Sequence, residues 1–133
     1  MLYPMFAMVV LTLIVGLIAV RVRFASVRSG DVHPKYFKLM QGFDVSESVI
    51  KTTRSFNNMF EVPTLFYVVC TLYVSLGLNG WLGIILAWLF VFSRCVHAYI
   101  HLTYNHIIHR MYAFWVGILC VLALWIVLLV QRL

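Results

Sequence analysis

Long apolar runs without a charged side chain divide the sequence. They cover residues 1–20, 62–93 and 111–131. A membrane helix needs about 20 apolar residues, so the first and third runs each fit one crossing and the second is too long for one. The segment from Leu76 to Gly80, two glycines around Asn79, interrupts the second run with turn-forming residues. The pattern predicts an all-α, integral membrane four-helix bundle in one domain, residues 1–133, with helices at about 3–24, 44–76, 81–101 and 109–130.

Composition supports a membrane protein. Apolar residues make up 64% of the chain and charged residues 11%, whereas soluble domains carry about 25% charged residues. A soluble fold of this size cannot bury so much apolar surface, because small domains bury only about 60–70% of what the unfolded chain exposes. This excludes a secreted disulfide scaffold, a disordered chain and, despite the basic net charge of +6, an ordinary nucleic-acid-binding protein.

The basic residues predict the orientation. Of the ten Lys and Arg residues, only Arg132 falls on the side of the chain ends. The others lie in or beside the first and third predicted connections: Arg21, Arg23, Arg28, Lys35, Lys38, Lys51, Arg54, Arg94 and Arg110. Because cytoplasmic loops are enriched in Lys and Arg, we expect both termini on the non-cytoplasmic side. The short chain without a retention signal favours a bacterial inner membrane.

The second predicted helix is unusually long. Asp44 and Glu47 have the spacing of a capping box, and a helix from there to Leu76 would extend about 50 Å at 1.5 Å per residue. The hydrocarbon core is only about 30 Å thick, so the first turns should stand in the cytoplasm. Pro63 removes one helical hydrogen bond and predicts a bend just beyond Glu61.

Polar residues within this helix share one face. Arg54, Asn58 and Glu61 are spaced i, i+4 and i+7, which places them within about 40° of one another. Two interpretations stay open. Arg54 and Glu61 are mutually satisfied partners bridged by Asn58, or the polar face lines a cavity that binds an ionic ligand.

The third helix carries a second polar face, formed by Arg94, His97 and His101. Arg94 is expected well inside the bilayer, where an arginine indicates a functional site, and Arg110 opens the last helix. Arginines converging near the single carboxylate of Glu61 need a counter-anion. Glutathione fits, with two carboxylates, an amine and a thiol that a nearby arginine converts to thiolate, although charge alone equally allows another dianion.

The cysteines and histidines raise the question of a metal or haem site. The three cysteines lie in separate predicted spans without CxxC spacing, which predicts neither a disulfide framework nor a cysteine metal site. Five histidines are too few for a membrane di-iron enzyme, whereas haem ligation by two histidines stays open. His106 and His109 are interpreted as loop and interface histidines near lipid headgroups. Apart from the haem alternative, the sequence predicts no metal site.

Four ordered motifs carry a family resemblance. They are V-R-x-R (Val20 to Arg23), R-x-x-x-N-x-x-E (Arg54, Asn58, Glu61), R-x-x-H (Arg94, His97) and a later arginine, Arg110. Over essentially the whole chain, they resemble the membrane-associated proteins in eicosanoid and glutathione metabolism, which include microsomal glutathione transferases and prostaglandin E synthase. The resemblance implies a homotrimer that binds glutathione, as co-substrate, between neighbouring subunits near the cytoplasmic side.

The resemblance also implies residue roles. Glu61 would hold the γ-glutamyl amine, and Arg110 or Arg94 would be the catalytic residue that stabilises the thiolate. His101 stands where the synthase branch has a tyrosine. The implied glutathione-binding residues are Arg21, Arg54, Asn58, Glu61, Arg94, His97, His101 and Arg110.

The function expected from these observations is a glutathione-dependent membrane transferase or peroxidase. Its second substrate would be a lipophilic electrophile or hydroperoxide that enters from the bilayer. One alternative is a lipid-binding scaffold of the same family without catalysis. Another is a small four-helix, proton-coupled drug exporter in which Glu61 is the proton-carrying group.

Overall fold

The computed structural model describes residues 1–42, 44–78 and 80–132. Phe43, Asn79 of the predicted turn, and Leu133 lie outside the described residues. All regular secondary structure in the described part is helical, which confirms the all-α membrane bundle. The helices are α1 (Leu2–Arg28), α2 (Tyr36–Leu39), α3 (Glu47–Asn57), α4 (Val62–Ser75), α5 (Trp81–Leu102) and α6 (Ile107–Val130).

Three of these helices, α1, α5 and α6, are long and apolar enough to cross a membrane. The fourth helical segment of the bundle consists of two consecutive helices, α3 and α4. Both chain ends lie at the same end of the bundle, next to the start of α5. A Cβ built on Gly83 would lie 2.8 Å from Cε of Met1, and one on Gly80 would lie 2.6 Å from Nε2 of Gln131. Which side of the membrane this end faces stays a prediction.

The core lies where α4, α5 and α6 meet, and Met8 and Val15 of α1 complete it. The rings of Phe66 and Phe90 stack with centroids 4.3 Å apart, and the Tyr73 hydroxyl donates to the Leu124 carbonyl at 3.1 Å. Of the helix pairs, α5 and α6 pack most extensively. Gly117 allows this close approach, because a Cβ there would lie 3.1 Å from Oγ of Ser93. This packing fixes α6 against the polar half of α5.

The prediction of one long second helix is wrong. The helix ends at Asn57 and restarts at Val62, so the interruption includes Glu61 instead of following it. Pro63 lies at the second position of α4. There its missing N–H removes no hydrogen bond, because the first amides of a helix have no intrahelical partner. Pro63 therefore starts a helix instead of bending one.

The predicted capping box is also wrong. Helix α3 begins at Glu47, three residues after Asp44, and Ser46 precedes it without a side-chain capping bond. The Ser46 carbonyl instead accepts hydrogen bonds from the amides of Val49 and Ile50, at 3.1 and 3.2 Å. The Glu47 carboxylate pairs with Lys51 at 2.8 Å. The interaction with Lys51, one turn later, therefore takes the place of the predicted cap.

Candidate functional site

A cavity of about 440 Å³ opens between α3, the interruption that follows it, and the facing parts of α5 and α6. This volume lies within the range of about 300–1,000 Å³ typical of small-molecule sites. The lining residues are Arg54, Asn57, Asn58, Glu61, His97, His101, Ile107, Arg110, Met111 and Phe114. The cavity therefore brings together six of the eight residues predicted to bind the ligand.

The α3 side of the cavity carries Arg54, Asn58 and Glu61. Arg54 and Glu61 are exposed and Asn58 is half-buried. Within the described residues, the only side-chain ion pair is the one between Glu47 and Lys51. The alternative in which Arg54 and Glu61 satisfy each other is therefore not what the structure shows. A guanidinium and a carboxylate face the cavity without pairing across it.

The α5 side is deeply buried. His97 and His101 are each 2% exposed, and their rings meet edge to face with centroids 5.8 Å apart. Within residues 1–42, 44–78 and 80–132, no group of three or more His, Cys, Asp and Glu residues could hold a metal ion. The two rings instead form a packed wall between the cavity and the protein core.

Arg94 is fully buried and does not line the cavity. Its Nη2 donates to the Asn58 carbonyl at 2.9 Å. In a continuous helix that carbonyl would accept from the amide of Val62, and the interruption removes this partner. Arg94 replaces it, and Glu61 contributes an attractive Coulomb interaction to the guanidinium. Arg94 therefore holds the interrupted backbone that presents Asn58 and Glu61.

Replacing Arg94 by methionine should loosen this backbone locally. The amides of Met59 and Phe60 donate to the Phe56 and Asn57 carbonyls, each at 3.0 Å. A hydrogen bond to a charged group contributes about 1.5–3 kcal/mol, so these two amides should exchange with deuterium about tenfold faster or more.

Hydrogen exchange followed by mass spectrometry measures this effect. Cys95→Met, at the exposed next position of α5, is the matched control and should leave the exchange unchanged. Unchanged exchange in Arg94→Met would contradict the role assigned to this arginine.

Arg110, on the first turn of α6, has two polar neighbours. Its Nη1 donates to Oδ1 of Asn105 at 2.7 Å and lies 3.4 Å from Nε2 of His101. Asn105 was not among the site residues predicted from the sequence. The available signal was an isolated asparagine just after a helix end, where a left-handed residue is common, and its φ is 48°.

Arg21 is not part of the cavity and is exposed on α1. The second arginine of its motif, Arg23, turns toward α3 instead. Its Nη2 donates to Oγ1 of Thr53 at 3.2 Å, and its guanidinium carbon lies 5.9 Å from the centroid of the Phe37 ring. The two arginines of the V-R-x-R motif therefore have different surroundings, and only Arg23 joins elements within the chain.

Apolar side chains of α6 complete the cavity and were not predicted from the sequence. They are Ile107, Met111 and Phe114. Ile107 and Met111 are largely exposed on the outside of the bundle. In the sequence they are indistinguishable from lipid-facing residues of a membrane helix. The cavity thus has a polar wall on α3 and the interruption that follows it, and its α6 wall is apolar apart from Arg110.

Comparison with known proteins supports the resemblance inferred from the motifs. The model of the MAPEG family matches residues 1–130, a match that includes every predicted site residue. Searches of curated proteins and of solved structures found no match. Because the family match covers nearly the whole chain, this protein belongs to the MAPEG family.

Proposed function

We propose that this protein is a glutathione-dependent transferase or peroxidase that acts on lipophilic electrophiles or hydroperoxides. Family membership supports a glutathione-related function in the membrane in general. The observation that carries the finer proposal is the charge pattern of the cavity. Arg54, Glu61 and Arg110 line one space, and no ion pair joins them within the described residues.

This pattern is complementary to glutathione. The Arg54 guanidinium suits a glutathione carboxylate, because its N–H groups can form two parallel hydrogen bonds. The Glu61 carboxylate accepts hydrogen bonds from the γ-glutamyl ammonium group, and the Asn58 amide can bind a peptide group between them. The ligand then lies along the interruption between α3 and α4, with its thiol toward Arg110.

Arg110 would stabilise the thiolate. An unperturbed thiol has a pKa of about 8.5 and is mostly protonated at neutral pH. A neighbouring guanidinium favours the anion, and the proton leaves to water. In transfer, the sulfur forms a bond to an electrophilic carbon while the leaving group departs with the bonding electrons. With a hydroperoxide, the sulfur takes the outer oxygen as the O–O bond breaks. This gives an alcohol and a sulfenic acid, which a second glutathione converts to disulfide and water.

The second substrate would reach the sulfur from the bilayer. Ile107 and Met111 line the cavity and are also exposed on the outside of α6, so an apolar molecule can pass along them. The protein supplies charge and orientation, which are the main contributions to such a reaction.

A homotrimer is part of the proposal. Arg21 lies outside the cavity of its own chain, and α1 exposes many large apolar side chains, including Leu13, Ile14 and Leu17. If the α1 surface of a neighbouring copy packed beside the cavity of this chain, the Arg21 of that copy would lie near the glutathione bound in the cavity. The cavity lies at the end of the bundle that carries most Lys and Arg residues, which favours the cytoplasmic side.

The test is glutathione binding and turnover by the purified protein. Calorimetry should detect glutathione binding, and the protein should accelerate conjugation of a generic electrophilic aromatic compound or reduction of a lipid hydroperoxide. Arg132→Ala, at the opposite end of the bundle, is the control and should change neither property. Binding of lipid without any turnover would favour the scaffold alternative, and absence of both binding and turnover would refute the proposal.

A further inference from the structure

Within the described residues, the two side chains that share hydrogen bonds with Arg110 carry no negative charge. Oδ1 of Asn105 accepts a hydrogen bond from Nη1 at 2.7 Å, and Nε2 of His101 lies 3.4 Å from the same atom. A guanidinium has donors only, so the imidazole nitrogen takes part in this contact as an acceptor. The asparagine amide and the imidazole therefore orient Arg110 without a carboxylate.

The backbone of Asn105 fixes where its side chain lies. Its φ of 48° is in the left-handed region, and its amide donates to the Ile100 carbonyl at 2.8 Å. Asparagine, aspartate and glycine adopt this conformation more readily than other residues. This short connection between α5 and α6 therefore holds the side-chain amide of Asn105 next to the first turn of α6.

Charge explains why an amide suits this position. An Asp or Glu at the same distance would form an ion pair with Arg110 and cancel most of its field at the cavity. Among the described lining residues Glu61 is the only acidic one, and Arg54 is the other cation. A second carboxylate at the Arg110 end would leave the thiol without a net positive neighbour.

We propose that Asn105 is a positioning residue that orients Arg110 while leaving its positive charge available to the glutathione thiolate. This inference rests on the proposed function. In this proposal, the connection between α5 and α6 controls how far the pKa of the bound thiol is lowered. The proposal concerns orientation through Arg110, and Asn105 itself need not touch the substrate.

Asn105→Asp tests the proposal because it keeps the size and backbone preference of the residue and adds one negative charge. We expect the pKa of the bound glutathione thiol to rise by about one unit, which lowers the thiolate fraction at pH 7 by up to about tenfold. Ultraviolet absorbance of the thiolate during a pH titration measures this shift. Binding of S-methylglutathione, which has no ionisable thiol, should be unchanged.

Two controls separate charge from structure. Asn105→Gly keeps the left-handed backbone and removes the hydrogen bond without adding charge, so the thiol pKa should shift less than in Asn105→Asp. Thr103→Asp adds the same charge at an exposed side chain whose hydroxyl donates to the Tyr99 carbonyl, and it should leave the thiol pKa unchanged. Asn105→Glu is the second acidic variant if Asn105→Asp does not fold.

The outcomes distinguish this inference from the proposed function. If wild-type protein binds glutathione with an acidified thiol and Asn105→Asp does the same, Asn105 has no such role. Equal shifts in Asn105→Asp and Asn105→Gly, or in Asn105→Asp and Thr103→Asp, would also overturn the inference. If wild-type protein does not bind glutathione, the proposed function fails and the inference fails with it.

Discussion

Replacing Arg110 by leucine is expected to lower kcat/KM for glutathione conjugation by up to about 30-fold at pH 7. The reason is thiol ionisation, because a thiol with a pKa of about 8.5 is only about 3% ionised at this pH. With the pKa lowered by Arg110, a large fraction of the bound thiol is already thiolate. The loss should shrink as the pH rises above 9, where the thiol ionises without assistance.

Rates measured from pH 6 to pH 10 test this prediction. Arg110→Lys keeps the charge but loses the planar guanidinium that reaches Asn105, so it should recover part of the rate at pH 7. A uniform loss at every pH in Arg110→Leu would contradict a role in thiol ionisation and indicate a role in binding alone.

Replacing Glu61 by glutamine is expected to abolish discrimination between glutathione and an analogue that lacks the α-amino group of the γ-glutamyl residue. In wild-type protein the Glu61 carboxylate should bind the ammonium group. A charge-assisted hydrogen bond contributes about 1.5–3 kcal/mol, so glutathione should bind about 10- to 100-fold more tightly than the analogue. Glu61→Gln should bind both ligands with similar affinity.

Calorimetric titration of both ligands against both proteins gives this comparison directly. Glu47→Gln is the matched control, because its carboxylate pairs with Lys51 and does not line the cavity. The control should discriminate as the wild type does. Persistent preference for glutathione in Glu61→Gln would place the amine elsewhere in the cavity.

The apolar pattern was enough to predict the long membrane helices. The predicted third helix begins at Trp81 as observed and differs by one residue at its end, because length and hydropathy alone determine such a segment. The interruption after Asn57 could not be predicted from the apolar pattern. Within the interruption, the Asn58 carbonyl accepts a hydrogen bond from the Arg94 side chain, 36 positions later in the sequence. A local pattern contains no information about such a contact.

The candidate site was predicted in part, and one reason given for it was wrong. A continuous helical face was expected to bring Arg54, Asn58 and Glu61 together. They do line one cavity, but the last two lie in the interruption between helices. Arg94 was expected to contact the ligand and does not line the cavity. The position of Asn105 after a helix end was readable from the sequence, but its contact with Arg110 was not, because that contact depends on how α5 and α6 pack.

The shortness of α4 has a consequence for the surrounding membrane. Its 14 residues extend about 21 Å, which is less than the hydrocarbon thickness of about 30 Å. A short apolar segment is accommodated by local thinning of the bilayer, and irregular backbone at this depth is tolerated only where it is buried in protein or lines a water-filled cavity. Asn58 and Glu61 of the interruption line the open cavity. We therefore expect the lipid leaflet beside the interruption to be thinned and water to extend inward to meet it. A water-soluble peptide and a molecule dissolved in the membrane could then meet there, the first without leaving water and the second without leaving the lipid.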